Sequence, residues 1–155
     1  MVKYPAEIGS ISHGTMRTED LLPLFSRELE TLARKNRLSG LYRSLLRDAR
    51  RTERSGKWSS YDAIHILDEL FEALNDFAPM YCRFGAHEGD GSDYGFWPID
   101  IEDIKEQVRE RGVVVSDLSE VPPRFNGEIL LINDHGNASL YVLARKKLKL
   151  IWSIV

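Results

Sequence analysis

Three of the four histidines in this sequence lie beside glycine or within a glycine-rich segment: His13, His87 and His135. Acidic residues accompany two of them, since Asp90 and Asp93 follow His87 and Asp134 precedes His135. An imidazole beside a carboxylate can act as a general base, and glycine-rich backbone can hold an anion with its amide groups. These three places are therefore the candidates for chemistry or for ligand binding.

The densest of the three is the segment from residue 84 to residue 97, with four glycines, three acids, one histidine and four aromatic residues. Glycine lets the backbone turn tightly and lets a partner approach closely. Aromatic residues at both ends predict two strands, over residues 80–84 and 94–97, on either side of a glycine-rich loop at 85–93. Such a loop, held by a rigid scaffold, is a typical place for binding residues.

The residues around this loop favour a pocket for a flat ring. Tyr94 and Trp97 would stack on the ligand, while Arg83 and the acids Asp90 and Asp93 bind its polar groups. A nucleotide-like molecule fits that combination. The alternative interpretation is structural: alternate aromatic residues face the core, and the short run of acids, glycine and serine is an ordinary turn.

A second candidate lies in the C-terminal region, where Asp134, His135, Gly136 and Asn137 separate two strand-like runs. This is also the composition of an ordinary hairpin turn, because Asp and Asn cap neighbouring amides and glycine takes positive φ. We expect the 85–93 loop and the 134–137 turn to share one edge of the sheet, so that His87 and His135 form one site. His13 either joins them or bonds a backbone carbonyl in the N-terminal segment.

The alternative function is a metal- or histidine-dependent hydrolase or nuclease, with His87 or His135 as the general base. Asp90, Asp93 or Asp134 would then orient the histidine or bind a metal ion. The sequence lacks a P-loop, a Gly-x-Ser-x-Gly elbow and a His-Glu-x-x-His motif, which disfavours common ATPases, serine hydrolases and zinc proteases. We therefore expect a protein that binds rather than catalyses, without a metal or a cofactor.

Helical periodicity predicts three helices in the N-terminal half, over residues 18–35, 41–54 and 60–77. The third is expected to begin after a cap at Ser59 or Ser60 and to end before Pro79.

Its apolar stripe is predicted to include Tyr61 and Ile64. His65 lies one step off that stripe and is expected to be partly buried and hydrogen-bonded.

After Pro79 the periodicity changes to that of strands. A short amphipathic helix is predicted over residues 101–111, with a strand at 113–115. The C-terminal runs 128–133, 139–144 and 148–155 predict an antiparallel three-stranded meander. The fold class is α+β, with a helical N-terminal half packed on a mostly antiparallel C-terminal sheet. A chain of 155 residues is expected to form a single domain, mainly helical over 1–79 and mainly β over 80–155.

The charge composition limits the classes of partner that the protein is expected to bind. A net charge of −3, from 21 basic and 24 acidic residues, produces no global basic field for nucleic acid. Residues 34–54 are the exception, with eight basic residues against Asp48 and Glu53. Such a run is usually a solvated helix face, so nucleic-acid binding through this basic helix ranks last among the functions.

The single cysteine, Cys82, excludes an internal disulfide and is expected to behave as a small hydrophobe. Because the sequence shows neither a signal region nor a long apolar run, we expect a soluble, cytoplasmic protein with no membrane partner.

Three motifs resemble a family of small, uncharacterised proteins encoded by bacteriophages and prophages. The motifs are ISHGTxRxEDL over residues 11–21, FGAHxGDGxDYGFW over 84–97 and NDHGNxxLY over 133–141. The resemblance implies a setting in the host cell rather than an activity or a set of catalytic residues. Small phage proteins of this kind commonly counter a host defence by sequestering a signal molecule or by inhibiting a host protein.

The function predicted from the sequence is therefore that of a phage-type accessory binding protein that self-associates as a homo-oligomer. Its ligand would be a small nucleotide-like molecule or a host protein. The predicted ligand-binding residues are His13, Arg83, His87, Asp90, Asp93, Tyr94, Trp97, Asp134, His135 and Asn137.

Overall fold

A computed structural model describes residues 2–155 and divides the chain into two compact units, Met1–Trp97 and Pro98–Val155. The elements of the first unit are β1 (Gly9–Ser12), α1 (Thr18–Lys35), α2 (Arg43–Ser55), α3 (Tyr61–Asn75), β2 (Cys82–His87) and β3 (Asp90–Pro98). Those of the second are α4 (Ile101–Arg111), β4 (Gly112–Val115), a short 3₁₀ helix (Leu118–Glu120), β5 (Gly127–Ile132), β6 (Ala138–Ala144) and β7 (Lys147–Ile154).

The predicted fold class is confirmed. Helices dominate the N-terminal half, and the C-terminal sheet, in the order β4-β5-β6-β7, is mostly antiparallel and ends in the predicted meander. Strand β4 is its one parallel member, paired with β5. The helix predicted over residues 101–111 has those same bounds. That the whole chain forms one domain stays a prediction.

The first unit has a sheet of its own, in the order β1-β3-β2. Its core consists of apolar side chains from α1, α2, α3 and this sheet, with Phe25, Leu70, Phe84 and Phe96 almost fully buried. Phe84 contacts Phe25 and Phe96 with ring centroids 5.1 and 5.0 Å apart. The N-terminal helices thus pack on a sheet within their own unit. Strand β1 was missed because four residues with two serines carry no strand periodicity.

The glycine-rich loop predicted at residues 85–93 is wrong. Strand β2 continues to His87, strand β3 begins at Asp90, and only Glu88 and Gly89 separate them. Glycine serves close packing here rather than a long loop: a Cβ at Gly95 would lie 2.0 Å from the carbonyl oxygen of Gly9 on strand β1. Density of glycine therefore misled the prediction, because strands that approach closely need glycine as much as loops do.

Helix α3 begins as predicted. Ser60 is the cap, and its hydroxyl accepts a hydrogen bond from the amide of Ala63 at 3.1 Å. Two predictions for this helix are wrong, however. Tyr61 and Ile64 are 81% and 50% exposed rather than part of the core. His65 is exposed too, stacked on Tyr61 with ring centroids 6.2 Å apart. One turn of helix tolerates apolar residues on its solvent face, which periodicity alone cannot detect.

Within residues 2–155, no helix combines the length and the apolar character that crossing a membrane requires.

Candidate functional site

The pairing of β1 with β3 positions the first candidate residue. Ser12 at the end of β1 lies opposite Tyr94, so the next residue, His13, comes close to Asp93. His13 Nδ1 and Asp93 Oδ2 are 3.8 Å apart. This distance permits an ion pair but is too long for a hydrogen bond. The amide of Gly14 donates to the carbonyl of Ser92 at 3.1 Å and holds the two segments together.

Asp90 begins β3 and is held by Ser92. The Ser92 amide and hydroxyl both donate to Asp90 Oδ1, at 2.9 and 2.7 Å. These two hydrogen bonds, followed by the charges of His13 and His87, lower the pKa of Asp90 below its usual value. His13, His87, Asp90, Ser92 and Asp93 therefore form one group, the hairpin cluster.

Asp93 is largely enclosed, with a side chain only 17% exposed. Its Oδ1 atom is buried and has no hydrogen-bond partner among the described residues. An unpaired buried oxygen costs free energy, so such groups are rare in folded proteins. A ligand with a hydrogen-bond donor, or a small rearrangement of the neighbouring side chains, would satisfy this oxygen.

His87 ends β2 and packs edge-to-face on Trp97, with ring centroids 4.7 Å apart. Its Nδ1 atom accepts a hydrogen bond from the amide of Gly89 at 3.0 Å. A neutral imidazole has one donor and one acceptor nitrogen, so in this arrangement the proton is on Nε2. His87 can therefore donate to a ligand, but its lone pair is already used. This geometry disfavours His87 as a general base.

The two aromatic residues predicted to contact a ligand lie in different surroundings. Trp97 is partly buried, and its indole N–H donates to the carbonyl of Gly85 at 3.1 Å, which fixes the ring beside His87. Tyr94 instead packs on Phe25, with ring centroids 5.6 Å apart, at the margin of the core. Arg83 is exposed, and its guanidinium lies 3.4 Å from the Ala86 carbonyl oxygen.

The second predicted site lies in the other unit, in the turn between β5 and β6. Its backbone is organised by Asn133, whose side-chain oxygen accepts hydrogen bonds from the amides of His135 and Asn137, both at 3.0 Å. Asp134 and His135 are exposed, and Gly136 has φ of 81°. The turn chemistry is thus satisfied within the turn. A shared site with the hairpin cluster stays a prediction.

Sequence reasoning missed how the segment before α1 is fixed. The Thr15 hydroxyl donates to Asp20 Oδ2 at 2.6 Å and accepts from the amide of Arg17 at 3.2 Å. This local network orders the backbone that carries His13. A Thr followed five residues later by Asp at a helix start was the available signal.

No group of three or more His, Cys, Asp or Glu residues between positions 2 and 155 is arranged to hold a metal ion. Burial raises the pKa of the Cys82 thiol to about 12, so it is a poor nucleophile at neutral pH.

Helix α2 has the expected basic surface, with Leu46, Ala49 and Thr52 as its buried residues. Some of its charge is neutralised locally, since Arg50 contacts Glu30 at 2.6 Å and Arg47 lies 3.6 Å from Asp48.

Comparison of the chain with protein-family models, with curated proteins and with solved structures finds no match.

Proposed function

We propose that this protein is a non-enzymatic accessory binding protein of the bacteriophage type. It acts in the host cytoplasm as a counter-defence factor and sequesters a small nucleotide-like molecule at the hairpin cluster. The observation that carries the proposal is the pairing of β1 with β3, which sets His13 beside Asp93. These residues come from two of the three motifs through which the chain resembles phage proteins, so distant motifs meet at one place.

The chemistry of the hairpin cluster suits a base and a phosphate. The carboxylates of Asp90 and Asp93 accept hydrogen bonds, as amino and imino groups of a base require. His13, with a side chain 71% exposed, and the exposed His87 offer N–H donors, and His13 adds positive charge toward phosphate when it is protonated. The ring of Trp97 forms an adjacent apolar wall.

Binding is favoured over catalysis because polar atoms of the hairpin cluster that a reaction would use already form hydrogen bonds within the cluster and its turn. The Nδ1 atom of His87 accepts from Gly89, and the Ser92 hydroxyl donates to Asp90. A nucleophile and its base would need these same atoms free and within hydrogen-bond reach of each other. Groups fixed in this way supply a preorganised surface, which lowers the entropic cost of binding.

Thermal unfolding against a panel of nucleotides, including cyclic and linear oligonucleotides, tests the proposal. At a ligand concentration one hundred times Kd, binding stabilises the folded state by about 2.7 kcal/mol, which raises Tm by about 5–10 °C for a protein of this size. We expect such a shift with at least one nucleotide. Asp93→Asn should abolish it, whereas Glu88→Gln, in the exposed turn beside the cluster, should retain it.

A wild-type protein that no nucleotide stabilises would contradict sequestration. If a pull-down from host lysate then retains a stoichiometric protein that Asp93→Asn loses, the hairpin cluster binds a host protein instead. Hydrolysis of a bound nucleotide that stops in the Asp93→Asn variant would contradict the non-enzymatic part of the proposal.

A further inference from the structure

Helices α2 and α3 form an antiparallel pair with opposite charge. A groove of about 630 Å³ is lined by Leu41, Tyr42 and Leu45 at the start of α2 and by Asp76 near the end of α3. A second groove, of about 340 Å³, is lined by residues late in α2 and early in α3, including Arg51 and His65. The two helices therefore run in opposite directions and leave a furrow along their length.

The charges of the two helices differ in sign. Helix α2 carries five arginines and two acids, whereas α3 carries four acids and neither lysine nor arginine. The large groove is walled by four carboxylates: Asp68, Glu69, Glu72 and Asp76. The acidic strip consists of Asp68, Glu69, Glu72 and Asp76, along α3 and its C-terminal cap, and the basic strip consists of Arg47 and Arg51 on one side of α2, of which Arg51 lines the smaller groove.

These opposite charges do not neutralise each other within the chain. The arginines of α2 that form ion pairs contact Asp48 on their own helix or Glu30 on α1. The one ion pair within α3 joins His65 and Glu69 at 3.8 Å. Among residues 2–155, no ion pair connects an arginine of α2 with an acid of α3, so the acids of α3 lack an arginine partner, while Arg47 and Arg51 share one carboxylate, Asp48.

The same face exposes large apolar side chains. Leu41, before α2, is 72% exposed, and Tyr61 and Ile64 on the first turn of α3 are 81% and 50% exposed. Tyr61, His65, Asp68, Glu72 and Asp76 recur at spacings of three and four, so they lie along one side of α3. Apolar residues among charges are typical of a protein contact surface.

We propose that this face binds a second copy of the same chain, with α2 of each protomer against α3 of the other. A two-fold axis parallel to the antiparallel helix pair produces this arrangement, in which the basic strip of one copy meets the acidic strip of its partner twice. The four helices then form one bundle. A surface whose charge pattern complements itself under two-fold rotation favours a second copy over a partner of single charge sign.

Sedimentation equilibrium of the full chain tests the interface with three variants. The first is Glu69→Lys/Glu72→Lys, the second is Arg47→Glu/Arg51→Glu, and the control is Glu106→Lys/Glu110→Lys on the exposed side of α4. Each of the first two replaces attraction by repulsion at both contacts of the dimer. We expect the Kd of dimerisation to rise by on the order of tenfold or more for each, and to stay unchanged in the control.

Mixing the two defective variants provides the decisive measurement. In the mixed dimer, one contact pairs lysines with glutamates and the other is the native contact, so the affinity should return close to that of the wild type. Raising the salt concentration should weaken the wild-type dimer, because exposed charges are screened. A monomeric wild type at low salt and at concentrations near 100 µM, or a mixture that stays monomeric, would overturn the proposal.

Discussion

His13 and Asp93 belong to motifs at opposite ends of the first unit, and one close backbone approach brings them together. At Gly95 on β3, a Cβ would lie 2.0 Å from the Gly9 carbonyl oxygen and 2.9 Å from the Ser10 Cα atom. Both are backbone atoms, which cannot move aside as a flexible side chain can. The position of β1, and of the His13 that follows it, therefore depends on the absence of a side chain at residue 95.

Gly95→Ala should accordingly destabilise the protein by about 1–3 kcal/mol or more, as overpacking does in a tight structure. The matched control is Gly91→Ala on the same strand, where a Cβ meets nothing within 4 Å and the change should stay within about 0.5 kcal/mol. Urea unfolding of both variants measures the difference. Equal midpoints would mean that β1 does not lie against β3 as closely as described.

The helices show where local sequence is sufficient. Helix α3 begins after Ser60, whose hydroxyl accepts the hydrogen bond of the Ala63 amide, while Ser59 is exposed and is not the cap. The sequence left these two serines as alternatives, because both are good capping residues and they are adjacent. Only the backbone geometry at the helix start distinguishes them.

Ser60→Ala should therefore lower the free energy of unfolding by about 1 kcal/mol, the usual cost of removing a helix cap. Ser59→Ala should change it by less than about 0.5 kcal/mol. Chemical unfolding of the two variants is the measurement, and Ser60→Asp, which keeps an acceptor at the cap, should restore most of the loss. A larger loss of stability in Ser59→Ala than in Ser60→Ala would mean that Ser59, and not Ser60, caps the helix.

The two units have cores of different character. The first contains a large cluster with four buried phenylalanines: Phe25, Phe77, Phe84 and Phe96. In the second, Ile129, Leu130 and Leu140 are the fully buried large residues of the sheet. A unit of fewer than 60 residues buries a smaller fraction of its surface, so each of its core residues contributes a larger share of its stability.

Leu140→Ala should cost about 2–5 kcal/mol in the second unit, since this fully buried side chain leaves a cavity. Hydrogen exchange should show the loss in the amides of β5, β6 and β7. Unchanged protection in those strands would contradict the prediction.

The slowest-exchanging amides of α1 and α3 test the single-domain prediction in the same experiment. If their protection falls as much as that of the C-terminal strands, the chain unfolds as one domain. If their protection stays unchanged, the single-domain prediction is contradicted.

The sequence alone determined the elements whose signal is local. Periodicity predicted α1, α3, α4 and the C-terminal meander, because burial of one face repeats along each helix or strand. These elements were enough to establish the α+β class. The turn at residues 134–137 was likewise predictable, since its chemistry is satisfied within five residues.

Tertiary structure decided everything that depends on contacts between distant segments. Glycines at 85, 89, 91 and 95 looked like a loop, but they lie in or between strands β2 and β3, and of these four only Gly95 lies against the backbone of a neighbouring strand. The meeting of His13 with Asp93 and the exposure of Tyr61 on α3 follow from the same cause. Strand pairing and the choice of buried face are set by long-range packing, which the pattern of one segment does not contain.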